Sequence, residues 1–351
     1  MRRISKGWGF SAAAALALFL GFVAFGPRPA RSAEPLVVSI WGGHWKETIE
    51  QAAGVPFTKL TGIAVEYDVG ETTDRLAKAR ATRTNPQADV VFTTSHVARL
   101  YTSDGLLESI PRASLPHAAE VRPEAFRGDT AVGLYATIYT IAVRTDLVSL
   151  PITSWADLWN PALKGKVLLP SFDPSQIIVV AARLEGGNEF NWEKGWDRLR
   201  ALKPNIVAFY ATGVQSIEMM RRGEAGVAVL NSPNIYTLQR EGLPVKLVVP
   251  KEKAMVNMDV VGILRGTRNR DAAAKFVDLL LSPDVQAKIA VGFGVTPMNP
   301  KAVLPEDLKA KPGVLDTPEK WAAGAYVMDD AQRAKMLDAW KERFRRDIMA
   351  K

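Results

Sequence analysis

After residue 35, short runs of β-branched residues alternate with stretches whose apolar positions recur every three or four residues. Buried strands read as continuous apolar runs and half-exposed ones as strict alternation. On that basis strands are predicted at Leu36–Trp41, 63–69 (Ile63, Val65, Tyr67 and Val69 alternate), Asp89–Phe92, Thr137–Val143, Lys166–Leu169, Ile206–Tyr210, Ala225–Leu230, Val245–Val249 and Val260–Leu264. Helices are predicted at Lys46–Leu60 and Thr73–Ala81, and Phe276, Leu279 and Leu280 mark one apolar face of a later helix. Helix starts carry the expected chemistry. Ser154-x-x-Asp157 has the form of a capping box, and Ser232-Pro233 and Ser282-Pro283 set proline at a first helical position. Strands alternating with helices imply an α/β architecture built on mostly parallel sheets. No internal repeat or low-complexity linker separates the pieces, so the domains are not beads on a string.

The chain has 351 residues, 47% of them apolar, and no cysteine. That composition excludes disordered and collagen-like chains and suggests about two domains. Without thiols there is no disulfide framework, cysteine nucleophile, thiolate zinc site or lipid-anchoring cysteine. Against 37 acidic residues stand 45 basic ones, a formal net charge of +8. Five of those cations, Arg2, Arg3, Lys6, Arg28 and Arg31, fall in the first 33 residues, which hold no acid. There a basic start precedes an apolar run from Trp8 to Phe25, then Gly26-Pro27 and the small residues Ala30, Ser32 and Ala33. This is the pattern of a secretory signal peptide, residues 1–33, cut after Ser32 or Ala33. An uncleaved anchor is the alternative, because the run is at the short end for a membrane span. Removing the segment leaves 40 basic against 37 acidic residues. A surplus of +3 gives no reason to expect nucleic acid as a partner. The expected location is the periplasm.

Enzyme motifs are missing. The chain has no G-x-S-x-G elbow, no phosphate loop of the form G-x-x-x-x-G-K-[ST], no H-E-x-x-H and no G-x-G-x-x-G. His44, His96 and His117 are too far apart in sequence to form a metal motif. The reading is therefore no catalytic residue, no metal and no cofactor. Four loops that directly follow strands draw the eye instead, because open α/β sheets bind ligands at the carboxyl ends of parallel strands. They are Trp41-Gly42-Gly43-His44, Thr93-Thr94-Ser95-His96, Ser171-Phe172-Asp173-Pro174 with Gln176 just beyond, and Tyr210 to Ser216. Each also has a plainer reading, as a glycine turn, an N-cap or a capping box.

In order and spacing these pieces resemble the family 1 extracellular solute-binding proteins of ABC importers, and within them the spermidine/putrescine-binding group. The resemblance is carried by Val37-Val38-Ser39-Ile40-Trp41-Gly42-Gly43, Pro56-Phe57-Thr58-Lys59-Leu60-Thr61-Gly62-Ile63 and Ala88-Asp89-Val90-Val91-Phe92. It continues through Ser154-Trp155-Ala156-Asp157-Leu158-Trp159-Asn160-Pro161, Lys164-Gly165-Lys166-Val167, Arg221-Arg222-Gly223-Glu224-Ala225-Gly226-Val227-Ala228 and the run Ala274 to Pro283. Trp155 and Trp159, on a short capped helix, read as core rather than site. The resemblance implies a two-lobed type II periplasmic binding protein with a ligand cleft between the lobes. Lobe 1 would comprise 34–140 and 258–310 and lobe 2 residues 141–257, with C-terminal helices in 311–351 packing across both. Crossovers are expected near Tyr135–Val143 and Asn257–Leu264. Closure over a solute, recognised by ABC permease subunits in the inner membrane, would be the mechanism of this monomer.

The same resemblance suggests the ligand. Polyamine sites need carboxylates for ammonium groups and aromatic faces for the chain. Trp41, Asp173 and Asp259 stand where that group has an aromatic and two acids. Asn257 and Leu230 stand where it has tryptophans, Gln176 where it has an acid and His96 where it has a tyrosine, and Gly42-Gly43 leaves no acid beside Trp41. With Gly43, His44, Thr94, Tyr210 and Asn231 these residues form the candidate site. A long polycation would lack partners there, at a cost of several kcal/mol per buried ammonium group. The expectation is a small amine-bearing solute, a putrescine/spermidine-like polyamine first, or alternatively an amino acid, γ-aminobutyrate or an opine-like ligand whose carboxylate meets Gly43, Thr94 or an arginine. A ferric or anion binder and an enzyme on the same fold are the further alternatives; the pair of adjacent tyrosines usual in ferric binders is missing.

Overall fold

A computed structural model describes residues 34–350 apart from Pro111. The signal-peptide segment read at 1–33 lies outside the described residues. Among the described residues eleven strands form one mixed sheet: β1 (Leu36–Ile40), β2 (Val65–Val69), β3 (Val90–Thr94), β4 (Val132–Arg144), β5 (Val167–Pro170), β6 (Ile206–Tyr210), β7 (Val227–Asn231), β8 (Val245–Val248), β9 (Ala254–Ile263), β10 (Thr296–Pro297) and β11 (Ala325–Tyr326). The main order is β2-β1-β3-β9-β4-β7-β5-β6. Each end is a parallel wing of three strands, β2-β1-β3 and β7-β5-β6. The long strands β4 and β9 join the wings and run antiparallel to each other, from Val132 opposite Val261 to Tyr139 opposite Met255.

Every residue of β4 and β9 is buried. A strand covered on both faces is expected to read as a continuous apolar run, which explains why 137–143 was legible. The first half of β9 was not. Asn257 and Asp259 are poor strand formers, and they interrupt the run so that only 260–264 stood out. The segments expected to cross between lobes, 135–143 and 257–264, lie in these two strands except for Leu264, one residue past β9.

Two hydrophobic cores flank the central pair. One gathers Leu36, Val90, Phe92, Phe276, Ile289 and Phe293. The other gathers Val143, Leu169, Ile178, Trp155, Trp192 and Trp340. Burying a side chain of this size contributes roughly 1.5–3 kcal/mol over leaving it in water, so each core is ample for a lobe of its own. Trp155 is core, as read, with its indole N–H donating to the Lys253 carbonyl at 2.8 Å. The Ser154 capping box forms as written, with Ser154 Oγ accepting from Ala156 and Asp157 Oδ2 accepting from the Ser154 N–H.

The helix Asp330–Phe344 packs against the helix Ser95–Ser103, which follows β3, and against the helix Ser175–Leu184, which follows β5. Among the described residues no helix is long and apolar enough to cross a membrane.

Candidate functional site

The register of the sheet assembles the site. On β9, Asp259 lies opposite Thr94 of β3 on one side and Tyr135 of β4 on the other, and Asn257 lies opposite Thr137. Because side chains alternate along a strand, Asn257 and Asp259 share one face, and the Asn257 amide donates to Asp259 Oδ1 at 3.2 Å. β3, β5 and β7 end beside them, so Thr94, the loop Ser171–Pro174 and Asn231 bring in three carboxyl-terminal strand ends.

A buried arginine on the C-terminal helix ties these ends together. Arg333 is 2% exposed; its Nη2 donates to Asp173 Oδ2 at 2.6 Å, and its Nη1 lies 3.5 Å from Asn257 Oδ1. With the Gln176 amide set so that both its groups are satisfied, its oxygen accepts from Arg333 Nη2 and its nitrogen donates to the Asp173 carbonyl, both at 2.8 Å. Asp173 Oδ1 also accepts from the Ser175 N–H at 3.0 Å. One turn earlier on the same helix, Asp330 accepts from Ser95 Oγ at 2.8 Å and lies 3.2 Å from Arg127 Nε.

Charge is balanced at every point but one. Burial alone would raise the Asp173 carboxyl; Arg333, together with His96 and Ser175, offsets this and holds it well below the usual carboxylate range. His96 Nε2 is 3.6 Å from Asp173, but burial and Arg333 push the imidazolium down to about 3. At neutral pH His96 is therefore uncharged, and its contact with Asp173 is not an ion pair. Burial pushes Asp259 up to about 7, against the opposing pull of Tyr135, Arg75 and Asn257. Arg75, the cation nearest to it in effect, is committed to the Phe92, Gly70 and Ser39 carbonyls.

Tyr135, opposite Asp259 in the sheet, belongs to an aromatic wall. Trp45 stacks on Tyr135, with ring centroids 6.0 Å apart and an interplanar angle of 11°, and lies 4.2 Å from Phe293. Trp41 leans on Trp45 at 6.0 Å, carries the Arg75 guanidinium at 4.9 Å and donates its indole N–H to Thr72. Gly43 makes the turn that sets both rings, with φ +61°, a conformation other residues rarely adopt.

The structure thus gathers Thr94, His96, Asp173, Gln176, Asn257 and Asp259 around one centre, with Asn231 at the adjoining strand end and Trp41 in the wall. Two candidates have local partners instead. His44 is exposed, 3.0 Å from the Gly292 carbonyl and edge-on to Phe293. Tyr210 is buried and donates its hydroxyl to the Val229 carbonyl at 2.8 Å. Sequence reasoning missed Arg333, Asp330, Trp45, Tyr135 and Ser175. Trp45 follows the Gly43 turn and could have been found from it. Arg333 carries no local signal: it sits in a helix rich in charge, 160 residues from its partner.

Several buried polar atoms at this centre have no partner among the described residues: Thr94 Oγ1, His96 Nδ1, Ser175 Oγ, Asn231 Oδ1 and Arg333 Nε. Buried polar groups are usually bonded, and the gathering of five unpartnered ones makes this centre the candidate site. A cavity of about 890 Å³ lined by Phe57, Leu60, Ile63, His117, Lys275 and Leu279 shares no residue with it. Among the described residues no three His, Cys, Asp or Glu side chains converge as metal ligands.

Two parallel wings whose strand ends meet at one polar centre are the architecture of a solute-binding protein. Residues 52–316 match the model of the bacterial extracellular solute-binding protein family, and the chain belongs to that family. It is 26% identical over 268 residues to the spermidine/putrescine-binding periplasmic protein of Escherichia coli, covering 73% of this chain and 76% of that one. It is 24% identical over 344 residues to the gamma-aminobutyric acid-binding protein of Pseudomonas aeruginosa, covering 92% and 95%. A crystal structure of an ABC transporter from Clostridium perfringens superposes with a TM-score of 0.77 at 26% identity, covering 89% of this chain and 99% of the other. The chain is accordingly the solute-binding component of an ABC transporter, and the two-lobed α/β fold expected from the sequence is the fold it has.

Proposed function

We propose that this protein captures a small amine-bearing solute in the periplasm and delivers it to an ABC permease in the inner membrane, acting as a monomer without catalysis. The observation that carries the reading is Asp259, to which among the described residues no arginine or lysine bonds directly, opposite Tyr135, whose ring stacks on Trp45. A buried carboxyl with an aromatic wall is what an ammonium group needs, a charge partner and cation–π faces. Lobe 1 (34–140 with 258–310) and lobe 2 (141–257) would close on the solute, with 311–351 packed across them. A ligand touching both lobes stabilises only the closed form.

A polyamine, the ligand named for the Escherichia coli relative, is one form of this reading. An amine that also bears a carboxylate, as for the Pseudomonas aeruginosa relative, is the other. The second is favoured by the Arg333–Asp173 pair, which leaves no second free carboxylate at the centre, and by the Thr94, Ser175 and Arg333 donors. Isothermal titration of the purified protein with putrescine, spermidine, γ-aminobutyrate and a set of amino acids tests the proposal. Saturable heat with at least one amine supports it, and no heat with any of them removes it.

A further inference from the structure

The acid that the sequence suggested for a second ammonium group is already occupied by the protein itself. Arg333 Nη2 lies 2.6 Å from Asp173 Oδ2, the separation an ammonium ligand would take, and Gln176 and Asn257 hold the guanidinium from two further sides. The helix that delivers it is fixed at its start by Asp330, which Ser95 and Arg127 hold on the other wing. The tethered cation thus comes on a packed element, with Trp340 and Phe344 of the same helix buried in the core.

Resting on the amine reading above, we infer that Arg333 is a specificity-determining residue: an internal counter-cation that cancels Asp173 and limits the site to solutes with one ammonium group. Two consequences follow from charge alone. A diamine would bring a second ammonium into a buried place whose carboxylate is spoken for, and an unpaired buried charge is costly. A monoamine carboxylate would instead bring its anion to the Asp173 end, where the Ser175 hydroxyl and the Arg333 Nε–H are unpartnered.

Putrescine and γ-aminobutyrate make the test clean, since both are four-carbon chains with an amine at one end and differ only at the other. By isothermal titration, the wild-type protein should bind γ-aminobutyrate at least tenfold more tightly than putrescine. Arg333→Gln, which frees Asp173, should shift that ratio at least tenfold toward putrescine. Asp173→Asn combined with Arg333→Gln removes both charges together and should return the ratio toward the wild-type value. Circular dichroism melts check that each variant is folded. Wild-type protein that prefers putrescine overturns the inference without any variant. A folded Arg333→Gln protein with an unchanged ratio also overturns it, while leaving the amine reading intact. Heat with neither ligand in any of the proteins overturns the inference, and the amine reading falls with it only when spermidine and the amino acids give no heat either.

Discussion

Arg333 and Asp173 are 160 residues apart in the chain and 2.6 Å apart in the fold, both buried. The contact joins the C-terminal helix to the loop after β5 and sets the charge of the whole centre. Breaking it from one side strands the other charge. Asp173→Ala should therefore lower stability by about 3–5 kcal/mol, as deletion of one partner of a buried ion pair does. Chemical denaturation with and without the substitution measures this, and a loss under 1 kcal/mol would show that the pair is solvated.

The pair also sets a pH dependence. Asp173 has a folded-state pKa depressed by Arg333, so its contribution to stability is present above the usual carboxylate range and is lost as the pH falls through and below it. Acid unfolding followed by tryptophan fluorescence should begin at higher pH in Asp173→Asn than in the wild type.

Asp259 has the opposite sign. Its folded pKa is raised to about 7 by burial, against the opposing Tyr135, Arg75 and Asn257. Between pH ~4 and 7 the native state holds a proton that the unfolded state has released, so the stability of the unliganded protein falls as pH rises across that window. Asp259→Asn should remove the slope and stabilise the protein at pH 8. An ammonium ligand needs the ionised carboxylate, so amine affinity should increase from pH 6 to 8 with proton release. In Asp259→Asn it should fall at least tenfold, about 1.4 kcal/mol. Unchanged affinity would reassign Asp259 to structure.

The fold was more legible than the site. The buried parallel strands β1, β5 and β7 announce themselves as apolar runs, and these with β6 and β8 were placed within two residues of their observed ends. Asp173, Gln176, His96 and Asp259 were named because they follow strands or match a family pattern. Their state was not legible, since it depends on what packs against them. Asp173 reads as a free acid until the helix 330–344 brings Arg333 to it. The Ser95–Ser103 helix was hidden for a related reason: it starts inside a loop read for its polar residues.

The aromatic wall gives a separate expectation. Trp45→Leu keeps an apolar side chain but removes the face stacked on Tyr135. Cation–π contacts of this kind contribute about 0.5–2 kcal/mol, so amine affinity should drop roughly 2- to 30-fold with little change in fold, read by titration alongside a thermal melt.

Asp330 anchors the start of the C-terminal helix through Ser95 and Arg127. In Asp330→Ala the Ser95 hydroxyl loses its acceptor and Arg127 its charge partner, at about 1–3 kcal/mol. Amide hydrogen exchange should quicken within 330–344 and change little in β1 or β3. Uniform acceleration would mean that the contact is global rather than local.

The most direct measurement is isothermal titration of the wild-type protein at pH 8 with the amine panel, after native mass spectrometry has shown that no solute has been carried through purification. Expected is saturable heat with a single amine-bearing solute, one per chain. No heat with any amine, while an amine-free solute binds, would contradict the proposed function.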